Sequence, residues 1–152
     1  MSHRIELSAV EKTFGTGVSA LHAFGPVTMT VEAGEFVSLL GPSGCGKSTL
    51  MLMSAGLLEP SKGSITIADI PVTGPQTDIG IMFQDNTLVP WRSVRGNIEL
   101  QLEMRGIVPS TETNKIDALL SAVQMEDFAD RFPYELSGGM QKRVGLARAI
   151  AG

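Results

Sequence analysis

The 152-residue sequence holds a single cysteine, Cys45, so no intrachain disulfide can brace it. It also lacks any long apolar run. The longest, Leu50 to Leu58, is interrupted by Ser54 and Gly56 and falls far short of the roughly 20 residues that a membrane helix needs. The opening MSHRIELSAV has no extended apolar h-region of the secretory type, which makes a cytoplasmic location the expectation. Basic residues are outnumbered, 12 against 16 acidic ones, and the net charge of -4 disfavours nucleic-acid binding driven by a basic field. What is present is a globular composition, 43% hydrophobic and 18% charged with a mean hydropathy of +0.15. That is enough apolar surface to offset chain entropy in one domain, or in a piece of a larger one. Glycine is over-represented, at 17 residues of 152 against a typical ~7%, and its clusters carry the functional signal.

Alternating apolar residues predict strands at Arg4 to Val10 and Val27 to Glu32. After Gly34, the run EFVSLL (Glu35 to Leu40) has the character of a strand buried on both faces. A helix follows from Ser48 toward Leu58, with Leu50, Met53 and Leu57 at helical spacing and Gly56 and Pro60 as stop signals. Met51 and Met53 fit its core or surface, since thioethers alone make a poor metal site. Further strands are expected at Ser64 to Ala68 and Ile79 to Phe83. Beyond Gln84 the period becomes helical, over Val94 to Arg105, Thr111 to Val123 and, after Pro133, Met140 to Ala151. The expected organisation is residues 1–85 as a β subdomain with a phosphate-loop core, 86–135 as a helical subdomain, and 136–152 as a second glycine motif with its helix.

Gly41, Pro42, Ser43, Gly44, Cys45, Gly46, Lys47 and Ser48 fit G-x-x-x-x-G-K-[ST], with Thr49 closing the motif, and the run lies between a predicted buried strand and a predicted helix. The residue types suit a polyphosphate. Glycines let successive N–H groups turn inward, and the helix adds the positive end of its dipole. Lys47 brings a cation to the β- and γ-phosphates, and the Ser48 hydroxyl is a hard donor for Mg²⁺. Cys45 stands at a variable position of the loop and reads as a spectator.

The second cluster, Leu136-Ser137-Gly138-Gly139-Met140-Gln141, opens a helix and offers another set of anion-binding N–H groups. Two such sites in one chain suggest one nucleotide held between two chains. Taken together, GPSGCGKST, FQDNTLVPW and LSGGMQKRVGLARA resemble, in order and spacing, the Walker A, Q-loop and signature motifs of the ATP-binding subunits of ABC transporters. The Leu88-Val89-Pro90-Trp91 segment resembles the nitrate, sulfonate and taurine importer type.

The resemblance implies an α/β P-loop NTPase fold, with a RecA-like core, an antiparallel β subdomain and an inserted helical subdomain. It implies an ATPase that uses ATP and Mg²⁺ and drives uptake through a transmembrane permease fed by a solute-binding protein, on the inner face of the membrane. Two subunits would sandwich ATP between Gly41 to Thr49 of one and Ser137, Gly138, Gly139 and Gln141 of the other. Gln84 would join Ser48 at Mg²⁺ and would act with Lys47 in catalysis. Phe14 falls where the family stacks an aromatic on adenine, although a hairpin hydrophobe would also suit that position. Two readings likewise stand for Trp91, subfamily motif or subdomain packing. Lys142, Arg143 and Arg148 are expected on a solvated helix face.

The family's Walker B strand with its terminal Asp-Glu, and the motifs that follow it, have no counterpart after the signature. The expectation is therefore a C-terminally incomplete core that does not hydrolyse ATP by itself, since an oriented water is needed as well as phosphate electrostatics. That strand would lie between the Walker A and Q-loop strands, so Glu35 to Leu40 should be left unpaired and exposed. The alternative is a non-hydrolysing nucleotide-binding or interaction module. DNA-repair ATPases share the signature but carry coiled-coil insertions, for which Thr49 to Leu136 is too short.

Overall fold

The alternating residues near the N-terminus build a sheet in a computed structural model that describes residues 3–77, 79–85 and 87–152. Strand β1 (Ile5–Phe14) lies between β2 (Leu21–Val31) and β3 (Lys62–Ile67), antiparallel to both, and the short β4 (Ile70–Pro71) gives the order β2-β1-β3-β4. Leu7 stands opposite Met29 on one side and Ile65 on the other. Leu7, Val10 and Ile65 are buried with Leu50 and Met53 of helix α1 (Lys47–Ser54), and Phe24, Met29, Leu58 and Val72 close the edge of this cluster. Each such side chain contributes about 1.5–3 kcal/mol by leaving water.

β1 and β2 run further than alternation predicts, because the ladder is bulged between Leu7 and Val10 and again between Val10 and Lys12. Ala9 takes a φ of 47°, and a period-two pattern loses phase there. Helix α1 is shorter than predicted. Gly56 (φ 71°) follows its end, where the Gly56 amide donates to the Met53 carbonyl (3.0 Å) and the Leu57 amide to the Leu52 carbonyl (2.9 Å). This pair of bonds is a Schellman stop. A Cβ at Gly56 would also collide with the Gly74 carbonyl.

The backbone divides into two units, Met1–Gln76 and Thr77–Gly152. The second is built on α2 (Val94–Met104), α3 (Thr113–Ala122) and α4 (Gly138–Ile150). Ile98, Leu102, Ile116, Leu120, Met125, Leu136, Val144 and Ala147 form its core. Ser93 caps α2 by accepting from the Gly96 amide (3.1 Å), and Ser137 caps α4 by accepting from the Met140 amide (3.3 Å). The division thus falls after Gln76 rather than after residue 85. Residues 136–152 are not a separate block, since Val144, Ala147 and Ala151 share one core with α2 and α3.

Two predicted strands do not form. Glu35 to Leu40 and Ile79 to Phe83 belong to no ladder among the described residues. A strand exists only through its neighbours, and neither segment has one to pair with there. Phe36 and Leu40 are accordingly 95% and 91% exposed.

Candidate nucleotide-binding site

The glycine-rich loop feeds directly into α1. Gly46 is the N-cap residue, with φ 91°, and a Cβ there would fall 2.7 Å from the Ala23 carbonyl oxygen and the Phe24 ring, so glycine is required twice over. At Gly44 the space is open and the φ of 81° alone favours glycine. The first amide of the helix to reach a carbonyl is that of Leu50, which donates to Gly46 at 2.9 Å. The amides of Lys47, Ser48 and Thr49 precede it, and no side chain caps the helix among the described residues. They face outward with the positive end of the helix dipole behind them.

The Lys47 ammonium folds over this loop. Nζ donates to the carbonyls of Gly41 and Pro42, both at 2.7 Å, and lies 3.5 Å from the Cys45 sulfur. Phosphate oxygens carry full charge and would displace these carbonyls as the stronger acceptors. Ser43, Cys45 and Ser48 are exposed and Thr49 is half-buried. Cation, free amides and a hydroxyl in one short loop fit a polyphosphate with Mg²⁺. Phe14, at the end of β1, is 42% exposed, and the Lys12 ammonium lies 5.3 Å from its ring centroid.

The other predicted site residues lie in the second unit. Gln84 is exposed, and Asn86, inside the predicted Q-loop motif, lies outside the described residues. Ser137 spends its hydroxyl on capping α4, which leaves Gly138 and Gly139 exposed at the helix start. A Cβ at either glycine would meet nothing within 4 Å, so packing within the chain does not demand glycine there. The Gln141 side chain turns back, and its Nε2 donates to the carbonyls of Pro133 (2.8 Å) and Leu136 (3.3 Å). Just before the motif, the Glu135 carboxylate accepts from the Phe132 amide (2.7 Å) and from Arg131 (2.9 Å). The Phe132 bond first, and then Arg131, hold its pKa below the usual carboxylate range.

Two expectations need correction. Arg148 is not on a solvated face: it grips Thr87, donating to its carbonyl (2.8 Å) and to Oγ1 (2.6 Å), and burial lowers its pKa. Lys142 and Arg143 are exposed as expected, although Arg143 also donates to the Val123 carbonyl at 3.1 Å. Trp91 is 77% exposed, which removes subdomain packing as its explanation. Sequence reasoning also missed Asn97, a fully buried carboxamide bonded to Val89, Arg92 and Ser93. Its signal was a polar residue on the inner face of α2, beside Ile98 and one turn from Val94.

A family model described as ABC transporter matches residues 24–152. The chain belongs to the ABC transporter family. Among its curated relatives, the taurine import ATP-binding protein of Mesorhizobium japonicum is 44% identical over 82% of this chain and 49% of its own length. That of Yersinia pestis is 44% identical over 85% and 51% respectively. An uncharacterised ABC transporter ATP-binding protein of Methanocaldococcus jannaschii is 37% identical over 99% of this chain and 57% of itself. This ABC chain therefore spans about half the length of the curated relatives it matches. Among solved structures, a dimeric ATP-binding cassette in a post-hydrolysis state with ADP and Pi superposes with a TM-score of 0.85 at 32% identity, covering 97% of this chain and 69% of the cassette. The ABC fold is thus that of a P-loop nucleotide cassette.

Proposed function

We propose that this chain is the ATP-binding portion of an ABC importer subunit, which binds ATP with Mg²⁺ in the loop Gly41 to Thr49. The observation that carries the reading is the construction of that loop. Left-handed glycines at 44 and 46 turn the backbone into α1, and the amides of Lys47 to Thr49 and the Lys47 ammonium converge at its mouth. Lys47 neutralises phosphate charge, and the Ser48 hydroxyl is an oxygen donor for Mg²⁺, whose role is to draw charge from the phosphates. Phe14 is the platform for adenine.

In the complete subunit, Ser137, Gly138, Gly139 and Gln141 of one copy close over the nucleotide held by Lys47 of another. The bare surface at Gly138 and Gly139 supports this, because an exposed helix start without side chains admits a phosphate to the amides. Closure on ATP and reopening after hydrolysis would move a permease through the loop at Gln84, with a solute-binding protein delivering the solute outside the membrane and this subunit peripheral on its cytoplasmic face. The resemblance to taurine importers supports a sulfonate or related oxyanion as the solute. The chain itself is proposed to bind ATP without turning it over, because none of the acidic residues after Ser110 ends an apolar strand to orient water.

The test separates the steps: ATP binding, ATP-dependent self-association and phosphate release, each measured on wild type and on Gly139→Asp. An aspartate in the first turn of α4 favours the helix electrostatically, so folding is retained while phosphate is repelled. ATP affinity of the single chain should be unchanged and ATP-dependent association lost. Undiminished association would sink the sandwich, and phosphate release by this chain would contradict the binding-only assignment.

A further inference from the structure

Lys12 and Phe14 stand two residues apart where β1 is irregular, its register against β2 slipping between Val10 and Lys12 and again between Lys12 and Thr13. In a regular strand, side chains i and i+2 stand side by side on one face. Here the Lys12 ammonium lies over the Phe14 ring, 5.3 Å from its centroid and within cation–π range. The ammonium is held there, since Nζ also donates to the Glu59 carbonyl at 2.6 Å. Glu59 is itself anchored to β1 through its neighbours. The Ser61 amide donates to the Glu11 carbonyl (2.8 Å), and the Thr13 amide donates to Ser61 Oγ (3.1 Å). Lys62 pairs with the Glu11 carboxylate at 3.1 Å. One face of the aromatic ring thus carries a fixed cation, although the residue remains 42% exposed.

We propose that Lys12 is a positioning residue for the nucleotide base: it occupies one face of the Phe14 ring, fixes the ring plane, and leaves the opposite face for a stacked purine. This rests on the reading of Phe14 as the adenine platform. Two physical effects follow. The ring is ordered before binding, so less rotamer freedom is lost when the base arrives. The cation also draws π density toward itself, which makes the far face a better partner for an electron-rich purine. The role belongs to the base alone, because Lys12 is bound to a backbone carbonyl and to the ring, and the phosphates are held by the glycine loop.

The experiment is calorimetric titration of the 152-residue chain with ATP and, separately, with inorganic tripolyphosphate, which has the charge but no base. Phe14→Ala should weaken ATP about tenfold, the scale of one base–aromatic stack, and leave tripolyphosphate unchanged. Lys12→Met should weaken ATP about threefold and leave tripolyphosphate unchanged, and Lys12→Arg should restore ATP affinity. Unchanged tripolyphosphate affinity doubles as proof that the loop is intact in each variant. If Phe14→Ala has no effect on ATP, the platform reading fails and the inference falls with it. If Phe14→Ala weakens ATP and Lys12→Met does not, the platform stands and the role of Lys12 is refuted. Tighter ATP binding by Lys12→Met would place the lysine on the base's own face, and equal losses for both probes would make its role merely structural; each result overturns the proposal.

Discussion

Replacing Asn97 by alanine should unfold the second unit well before the rest of its contacts are challenged. The carboxamide is fully buried and holds the segment that leads from the Gln84 loop into α2. Its Oδ1 accepts from the Val89 amide at 2.7 Å, and Nδ2 donates to the carbonyls of Val89 (3.1 Å), Arg92 (3.0 Å) and Ser93 (3.0 Å). Alanine strands the Val89 amide, at a cost of about 1–3 kcal/mol, and deprives three carbonyls of one partner each, which costs less because each keeps a second lone pair. A total near 3 kcal/mol is therefore expected, and at ~4–8 °C per kcal/mol for a unit of this size the melting temperature should fall by roughly 12–24 °C. Asn97→Asp should be at least as damaging at neutral pH, since it keeps the bond to Val89 but turns a donor into an anion facing three carbonyls. Urea unfolding followed by circular dichroism reads the effect as a lower midpoint with an unchanged slope. A loss below ~0.5 kcal/mol would mean that water replaces the carboxamide and that Asn97 does not hold the segment.

Further consequences concern surfaces and charge. Phe36→Lys combined with Leu40→Lys should reduce self-association in light scattering, because these two side chains are the most exposed apolar groups of an unpaired extended segment; unchanged scattering would place the association elsewhere. Arg148→Lys keeps the charge but cannot grip both Thr87 acceptors, so amide exchange at residues 87 and 88 should quicken while the α2 core is unchanged; unaltered exchange would contradict the clamp. Glu135 has a folded pKa below its unfolded value, so its stabilising effect is complete above the ordinary glutamate range and fades as pH falls through the lowered folded value. The Phe132 amide should therefore keep its protection through the ordinary glutamate range and lose it only at lower pH, and Glu135→Gln should abolish that pH dependence without restoring protection.

Much of this was legible in the sequence because it follows from local rules. Gly56 stopped α1, the second glycine cluster opened α4, and the apolar spacing of α2, α3 and α4 located each to within about two residues. The glycine loop could be read residue by residue, since positive φ at 44 and 46 is what the motif's glycines are for. What escaped was decided by distant partners. Glu35 to Leu40 has the composition of a buried strand, yet composition cannot supply a neighbour to pair with. Arg148 looked like a solvated cation because its partner, Thr87, is 61 residues away in the chain. β1 outran its alternation because Ala9 bulges, and Asn97 was hidden because a single polar residue on an apolar face does not announce four hydrogen bonds.

The central claim is that Gly41 to Thr49 is a nucleotide phosphate site served by Lys47, and the most direct measurement is ATP titration of wild type against Lys47→Ala in the presence of Mg²⁺. Lys47 makes its bonds to Gly41, Pro42 and Cys45 within the loop and contributes nothing to the buried cluster around Met53, so the variant should keep the fold, checked by circular dichroism. Removing this cation from the mouth of the loop should weaken ATP at least about thirtyfold, the scale of a charge-assisted contact worth ~2 kcal/mol or more. Equal affinity of the two chains for ATP would contradict the account.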